Sequence, residues 1–275
     1  MNAIATITWL TFREAWRRRM VQAALALGML FLILFGVGFT LIDRNMREQG
    51  ISAIQLGFSH NLLLMAGLYV IHFLTIMLAI FASVDTIAGE IASHTIQALA
   101  TKPVRRWQIV MGKWCGYAGM LVLYLVLLGG GILGIVYSVA GYSPPHPAAV
   151  LLLILEALVL LSLSLLGGTY VSTLTNGVVL FMLYGVAFIG AWVEQIGALL
   201  QSHAAVNIGI MTSLVLPVEA LWRRAAYLMQ PQLLSAVPSP FGGASPPSQA
   251  MVLYAAVYAA IALALALRSF QKRDL

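Results

Sequence analysis

Six long apolar runs limit what this chain can fold into. They cover about Val21–Ile42, Asn61–Ser83, Trp114–Ala140, Ala149–Leu174, Val178–Trp192 and Met251–Leu267, and hold only two side chains from among His, Asp, Glu, Lys and Arg: His72 and Glu156. A backbone crossing hydrocarbon must satisfy its own hydrogen bonds, which a helix of this length does. With 61% hydrophobic residues, 9% charged residues and a mean hydropathy of +0.94, most of the chain cannot face water. The expected class is an all-α polytopic membrane protein of six transmembrane helices, a single membrane domain over residues 1–275. The first run is too long for a secretory signal and has no small-residue cleavage site, so it reads as a span.

The segments between the runs are also informative. Residues 2–19 are too polar to span; at helical spacing Trp9, Phe12 and Trp16 share one face and Arg13, Arg17 and Arg18 turn away, as in an interfacial helix. Asp43–His60 reads as a polar loop. Gly112 and Gly116, then Gly130 and Gly134, have the small-xxx-small spacing that lets helices approach closely. A turn around Thr175, Asn176 and Gly177 makes an antiparallel hairpin of the fourth and fifth runs. Residues 193–249 hold short apolar pieces broken at Pro217, then an amphipathic stretch with Glu219 and Arg223 at i,i+4, then a loop rich in proline, glycine and serine. That region reads as an extracytoplasmic or re-entrant segment with interrupted helices.

Eleven of the fifteen Lys and Arg residues lie in 2–19, in 84–113 or in the tail after Leu267. The positive-inside rule puts those segments, and with them both termini, in the cytoplasm. The net charge of +6 points to anionic lipid headgroups and not to nucleic acid. Every tryptophan falls near an expected interface, the pattern of an aromatic belt. The sequence has no GxxxxGK[ST], HExxH, GxSxG or CxxC, the histidines lack metal-ligand spacing, and the single cysteine, Cys115, reads as a small buried hydrophobe. No catalytic or metal site is expected. His72 and Glu156 are functional candidates by their depth: either they pair inside the bundle, or each is satisfied separately by backbone or by snorkelling.

Between the second and third runs, Ser83–Trp114 is the longest charged interruption. The helix before it continues through Ile87 and Ile91, Ser93 and Thr95 offer N-cap chemistry for a short helix over Ile96–Thr101, and Pro103 ends it. A second helix starts near Arg105 and leads into the third run. The run Asp85, Gly89-Glu90, Thr95, Leu99, Pro103, Arg106 and Gly112-Lys113, together with the tail Phe270–Asp274, resembles the permease subunits of ABC type-two exporters. The order of elements is similar over the whole length, and the layout is nearest the NosY-like group of these permeases. His94 stands where the family usually has glycine.

The resemblance implies a permease without nucleotide-binding machinery of its own, in the bacterial cytoplasmic membrane. It would pair with a second protomer, identical or not, and with a separate ATP-binding subunit that holds ATP and Mg. The coupling helix, about Ser93–Thr101, would seat in that subunit, with Asp85, Glu90, Ser93, His94, Thr95, Gln97, Leu99, Pro103 and Arg106 as the contact set. Glu90 either meets a basic group of the partner or pairs with Arg105 or Arg106. Arg105, Arg106 and Lys113 read as lipid-facing orientation charges. The implied function is ATP-driven export. Two alternatives stay open: an ATP-driven membrane assembly or maturation factor acting on an extracytoplasmic partner, and a proton-coupled secondary transporter using His72 and Glu156.

Overall fold

The computed structural model describes residues 3–92, 105–231 and 246–272, with the backbone alone at 90–92. Among those residues every regular element is helical, and six helices are long and apolar enough to cross a membrane. In chain order the helices are α1 (Ala3–Arg17), α2 (Arg19–Glu48), α3 (Ala53–Ser83) continued after Val84 by α4 (Asp85–Ala92), and α5 (Arg106–Ala140). A 3-10 turn (Pro147–Val150) then leads into α6 (Leu151–Gly168), followed by α7 (Thr173–Leu199), α8 (His203–Val215), α9 (Val218–Met229) and α10 (Gln249–Lys272). The six-span, all-α architecture and the interrupted helices between spans five and six are as expected.

Two expected loops are helical instead. Residues 43–60 contribute the last turn of α2 and the start of α3, leaving only Gln49–Ser52 as the connection. Across the hairpin Asp43 Oδ1 lies 2.8 Å from His60 Nε2, and within α2 Arg47 Nε donates to Asp43 Oδ2 at 2.8 Å. Likewise Thr175–Gly177 belong to the first turn of α7, because Ser172 takes the N-cap position and its hydroxyl accepts from the Thr175 amide. Asn176 is buried and donates to the Ser164 carbonyl at 2.8 Å, which closes the α6–α7 hairpin.

Helices α1 and α2 both run alongside α5 in the same direction. Gly112 faces Ile7 and Gly116 faces Thr11, so close that an added Cβ would sit 2.7 Å and 2.8 Å from those Cβ atoms; further along, Gly28 faces Leu128 and Gly36 faces Ile135. Of the expected close-packing glycines, Gly112 and Gly116 therefore hold α1, while Gly130 and Gly134 look onto open space. Thr11 and Ala15 are the buried residues of α1, and Trp9 and Trp16 stay exposed. Arg13 does not turn away from the aromatic face: its guanidinium lies over the Trp9 ring, 5.2 Å from the centroid.

The spans α3 and α6 form the interior, and α10 lays the alanine stripe Ala255, Ala259, Ala262 and Ala266 inward. Helix α8 folds back on α7 through Gly190, Gly197 and Gly209. After Leu216 and Pro217 the chain bends by 110° into α9. Proline supplies no amide at this break, and the last carbonyls of α8 need donors. Tyr254 and Tyr258 of α10 provide them, donating to Leu214 O at 2.6 Å and Val215 O at 3.0 Å.

Candidate functional site

Polar groups gather at one end of the bundle and in its centre. At the end where α4 leaves and α5 begins, Arg18 sits in the extended break between α1 and α2. Its guanidinium donates to Glu14 Oε1 at 2.9 Å and reaches Asp85 Oδ2 at 3.4 Å. The other Asp85 oxygen accepts from Thr173 Oγ1 at 3.3 Å, at the start of α7. Lys113 is buried and its Nζ donates to the Thr86 carbonyl at 3.4 Å, so it is an interior contact and not a lipid-facing charge. Arg106 Nη1 reaches the Gln271 carbonyl near the end of α10, again at 3.4 Å. Asp85 and Arg106, both expected contact residues, are thereby placed at one end of the molecule. The rest of that set, Ser93, His94, Thr95, Gln97, Leu99 and Pro103, with the short helix they were expected to form, lies outside the described residues, as does the Glu90 side chain. An apolar groove of about 600 Å³ opens beside Arg18 and Asp85, between Phe81, Thr173 and Phe181.

In the centre the two ionisable side chains of the apolar runs meet. His72 Nδ1 lies 2.7 Å from Glu156 Oε1, so the pair forms inside the bundle. The sequence does not announce its third member, Glu219 of α9, whose Oε1 lies 3.3 Å from His72 Nε2. All three are buried, and Glu156 Oε2 has no hydrogen-bond partner. The imidazole is enclosed by Tyr69 and Trp222, with ring centroids 5.6 Å and 5.0 Å away. Trp222 is thus an interior side chain, apart from the aromatic belt expected of every tryptophan. The Tyr184 hydroxyl comes in on the Glu219 side but makes no hydrogen bond of standard geometry.

One turn further along α9, Arg223 pairs with Glu194 of α7 through two contacts, Nη1–Oε1 at 2.7 Å and Nη2–Oε2 at 2.9 Å, and Nη2 also donates to Ser213 Oγ of α8 at 3.1 Å. Glu219 and Arg223, although at i,i+4, do not pair with each other. A buried charge needs a partner with matched geometry, and each of the two finds a better one on another helix. Beyond α9, Asn61 donates to the Met229 carbonyl at 3.1 Å and to Tyr142 at 2.9 Å, which ties the helix end to α3. Among the described residues no group of His, Cys, Asp and Glu is arranged to hold a metal ion. The two nitrogens of His72 point to opposite carboxylates, a geometry that links helices and does not chelate.

A family model described as ABC-2 family transporter protein matches residues 5–275. No curated protein matches the chain at a significant level.

Proposed function

This chain belongs to the ABC-2 transporter family, a membrane permease component of an ABC transporter, and on that premise we propose that it is the permease subunit of an exporter driven by a separate ATP-binding subunit. The end that carries Arg18, Asp85, Arg106 and Lys113 faces the cytoplasm, with both termini beside it, in the cytoplasmic membrane of a bacterium. The segment between α4 and α5, including Ser93–Thr101, is the contact that receives ATP-driven closure. ATP and Mg reside in the partner, and a second permease protomer completes the pathway.

The observation that carries this reading is the tethering around that segment. Asp85, at its entry, is linked to Arg18 and to Thr173, Lys113 to the Thr86 carbonyl, and Arg106 to the Gln271 carbonyl. A displacement applied between α4 and α5 reaches α2, α7 and α10 within one residue contact.

The test is to purify the chain with the products of neighbouring genes and to replace residues 93–101 by glycine. The expected result is loss of a stoichiometric ATPase with the bundle still folded. In parallel, a cysteine at Gln97, in a chain with Cys115→Ser, is to be labelled from each side of sealed vesicles; labelling from the outside overturns the orientation. Transport that collapses with the proton gradient and ignores ATP overturns the energy source. By layout the chain resembles the NosY-like permeases, and an extracytoplasmic partner recovered in the same preparation would support a role of that kind.

A further inference from the structure

The centre of the bundle poses a hydrogen-counting problem. A carboxylate can only accept, and a neutral imidazole carries one N–H and one bare lone pair. Here both ring nitrogens of His72 face carboxylate oxygens, Glu156 at 2.7 Å and Glu219 at 3.3 Å. With a neutral ring and two carboxylates, one of these contacts would set lone pair against lone pair. Water could not relieve it, since the ring and Glu156 are 0% exposed and Glu219 3%.

The surroundings supply no other cure. Among the described residues the groups facing the triad are Tyr69 from α3, Tyr184 from α7 and Trp222 from α9, none of them a cation. The indole of Trp192 engages the Tyr69 hydroxyl, so that hydroxyl is already partnered. Arg223, one turn along α9 from Glu219, is matched by Glu194. The Glu156 oxygen that does not face His72 has no partner, so the cluster carries more acceptor capacity than its surroundings satisfy.

We propose that Glu156, His72 and Glu219 form a proton-binding site in the membrane interior, which holds one proton beyond the single N–H of a neutral imidazole. The ligand is H⁺, and the balance is simple. Two N···O contacts need two hydrogens, the neutral ring supplies one, and the bound proton is the other. It sits either on the ring, giving an imidazolium between two carboxylates, or on a carboxyl that donates to the bare nitrogen. Both forms take the triad from a charge of −2 to −1, and both join α9 to α3 and α6. The site does not depend on the direction of transport or on its energy source.

The test uses the full chain in lipid nanodiscs at pH 7.5, labelled with 13C,15N-histidine and 1-13C-isoleucine. Ile71-His72 is the single Ile-His pair in the sequence, so His72 is assigned without any substitution. The expected result is one of two signatures: both ring nitrogens protonated, or one bare nitrogen together with a carboxylic-acid C=O infrared band that disappears in Glu156→Gln or Glu219→Gln. One bare nitrogen with no such band means that the triad holds no extra proton, and it overturns the proposal. Because the nitrogen shifts are read on the unsubstituted protein, a variant that fails to fold does not leave the question open: the infrared arm then uses whichever Glu→Gln variant folds, or hydrogen–deuterium shifts of the band.

Discussion

The Arg223–Glu194 pair gives the sharpest energetic prediction. Both side chains are almost fully buried, at 6% and 4% exposed, and they meet through two N–H···O contacts at 2.7 Å and 2.9 Å. An average polar contact between helices in a bilayer is worth about 0.6 kcal/mol, because the separated helices find other partners. A buried, bidentate ion pair behaves differently when one partner goes, since the remaining charge stays desolvated; truncation of one side costs about 3–5 kcal/mol. Arg223→Met and Glu194→Leu should each destabilise by that amount, whereas the double variant should return to within about 1 kcal/mol of the parent, because neither charge is then orphaned. The assay is reversible unfolding in bilayer discs, run as a double-mutant cycle. Two single variants that each cost under about 1 kcal/mol, and add in the double, would refute the reasoning and mean that water reaches this pair.

Three further outcomes follow from packing at named positions. Gly116→Leu should push α1 off α5, costing about 1–3 kcal/mol by overpacking, whereas Gly130→Leu, with open space around it, should stay within about 0.5 kcal/mol; unfolding of the two variants side by side checks this. Tyr258→Phe removes the donor to Val215 O at the Pro217 break and should cost about 1 kcal/mol, with faster amide exchange at the end of α8. Asp85→Asn, at a half-exposed site, should change stability by less than about 1 kcal/mol while weakening the link from Arg18 to Thr173, which a distance measurement between spin labels at the starts of α2 and α7 reads.

How much of this was legible depended on which constraint ruled each segment. The crossings could be read because hydrocarbon imposes both length and composition, and His72 and Glu156 stood out because nothing else charged occurs in those runs. Helix α9 misled for the opposite reason. Its residues carry a strongly amphipathic pattern, and Glu219 and Arg223 fall at a spacing that suits a surface pair. Burial reversed that reading, because partners 147 residues and 29 residues away in sequence, His72 and Glu194, desolvate both charges and pair with them better than they pair with each other. The one local sign of burial was its alanines, Ala220, Ala225 and Ala226, small enough to be packed on all sides and all buried. Residues 43–60 look like a loop for a related reason: Asp43 and His60 are polar, but each cancels the other inside a helical hairpin.

The arrangement of these links also says what can move. Glu219 and Arg223 lie one turn apart on a single rigid helix, so α9 is pinned to α3 through His72 and to α7 through Glu194. The same two spans are joined again at the far end of the bundle, where Asp85, just past α3, meets Thr173 at the start of α7. Three members and three junctions make a closed frame. Within it, α3 and α7 cannot slide past one another by more than the slack of a hydrogen bond without breaking a link or turning α9. The central links are buried and costly to break, and the Asp85 link is half-exposed and weak. In the proposed cycle a push at the α4–α5 end therefore passes to α7 through the weak Asp85 link, and in the membrane interior it meets the two buried contacts of α9.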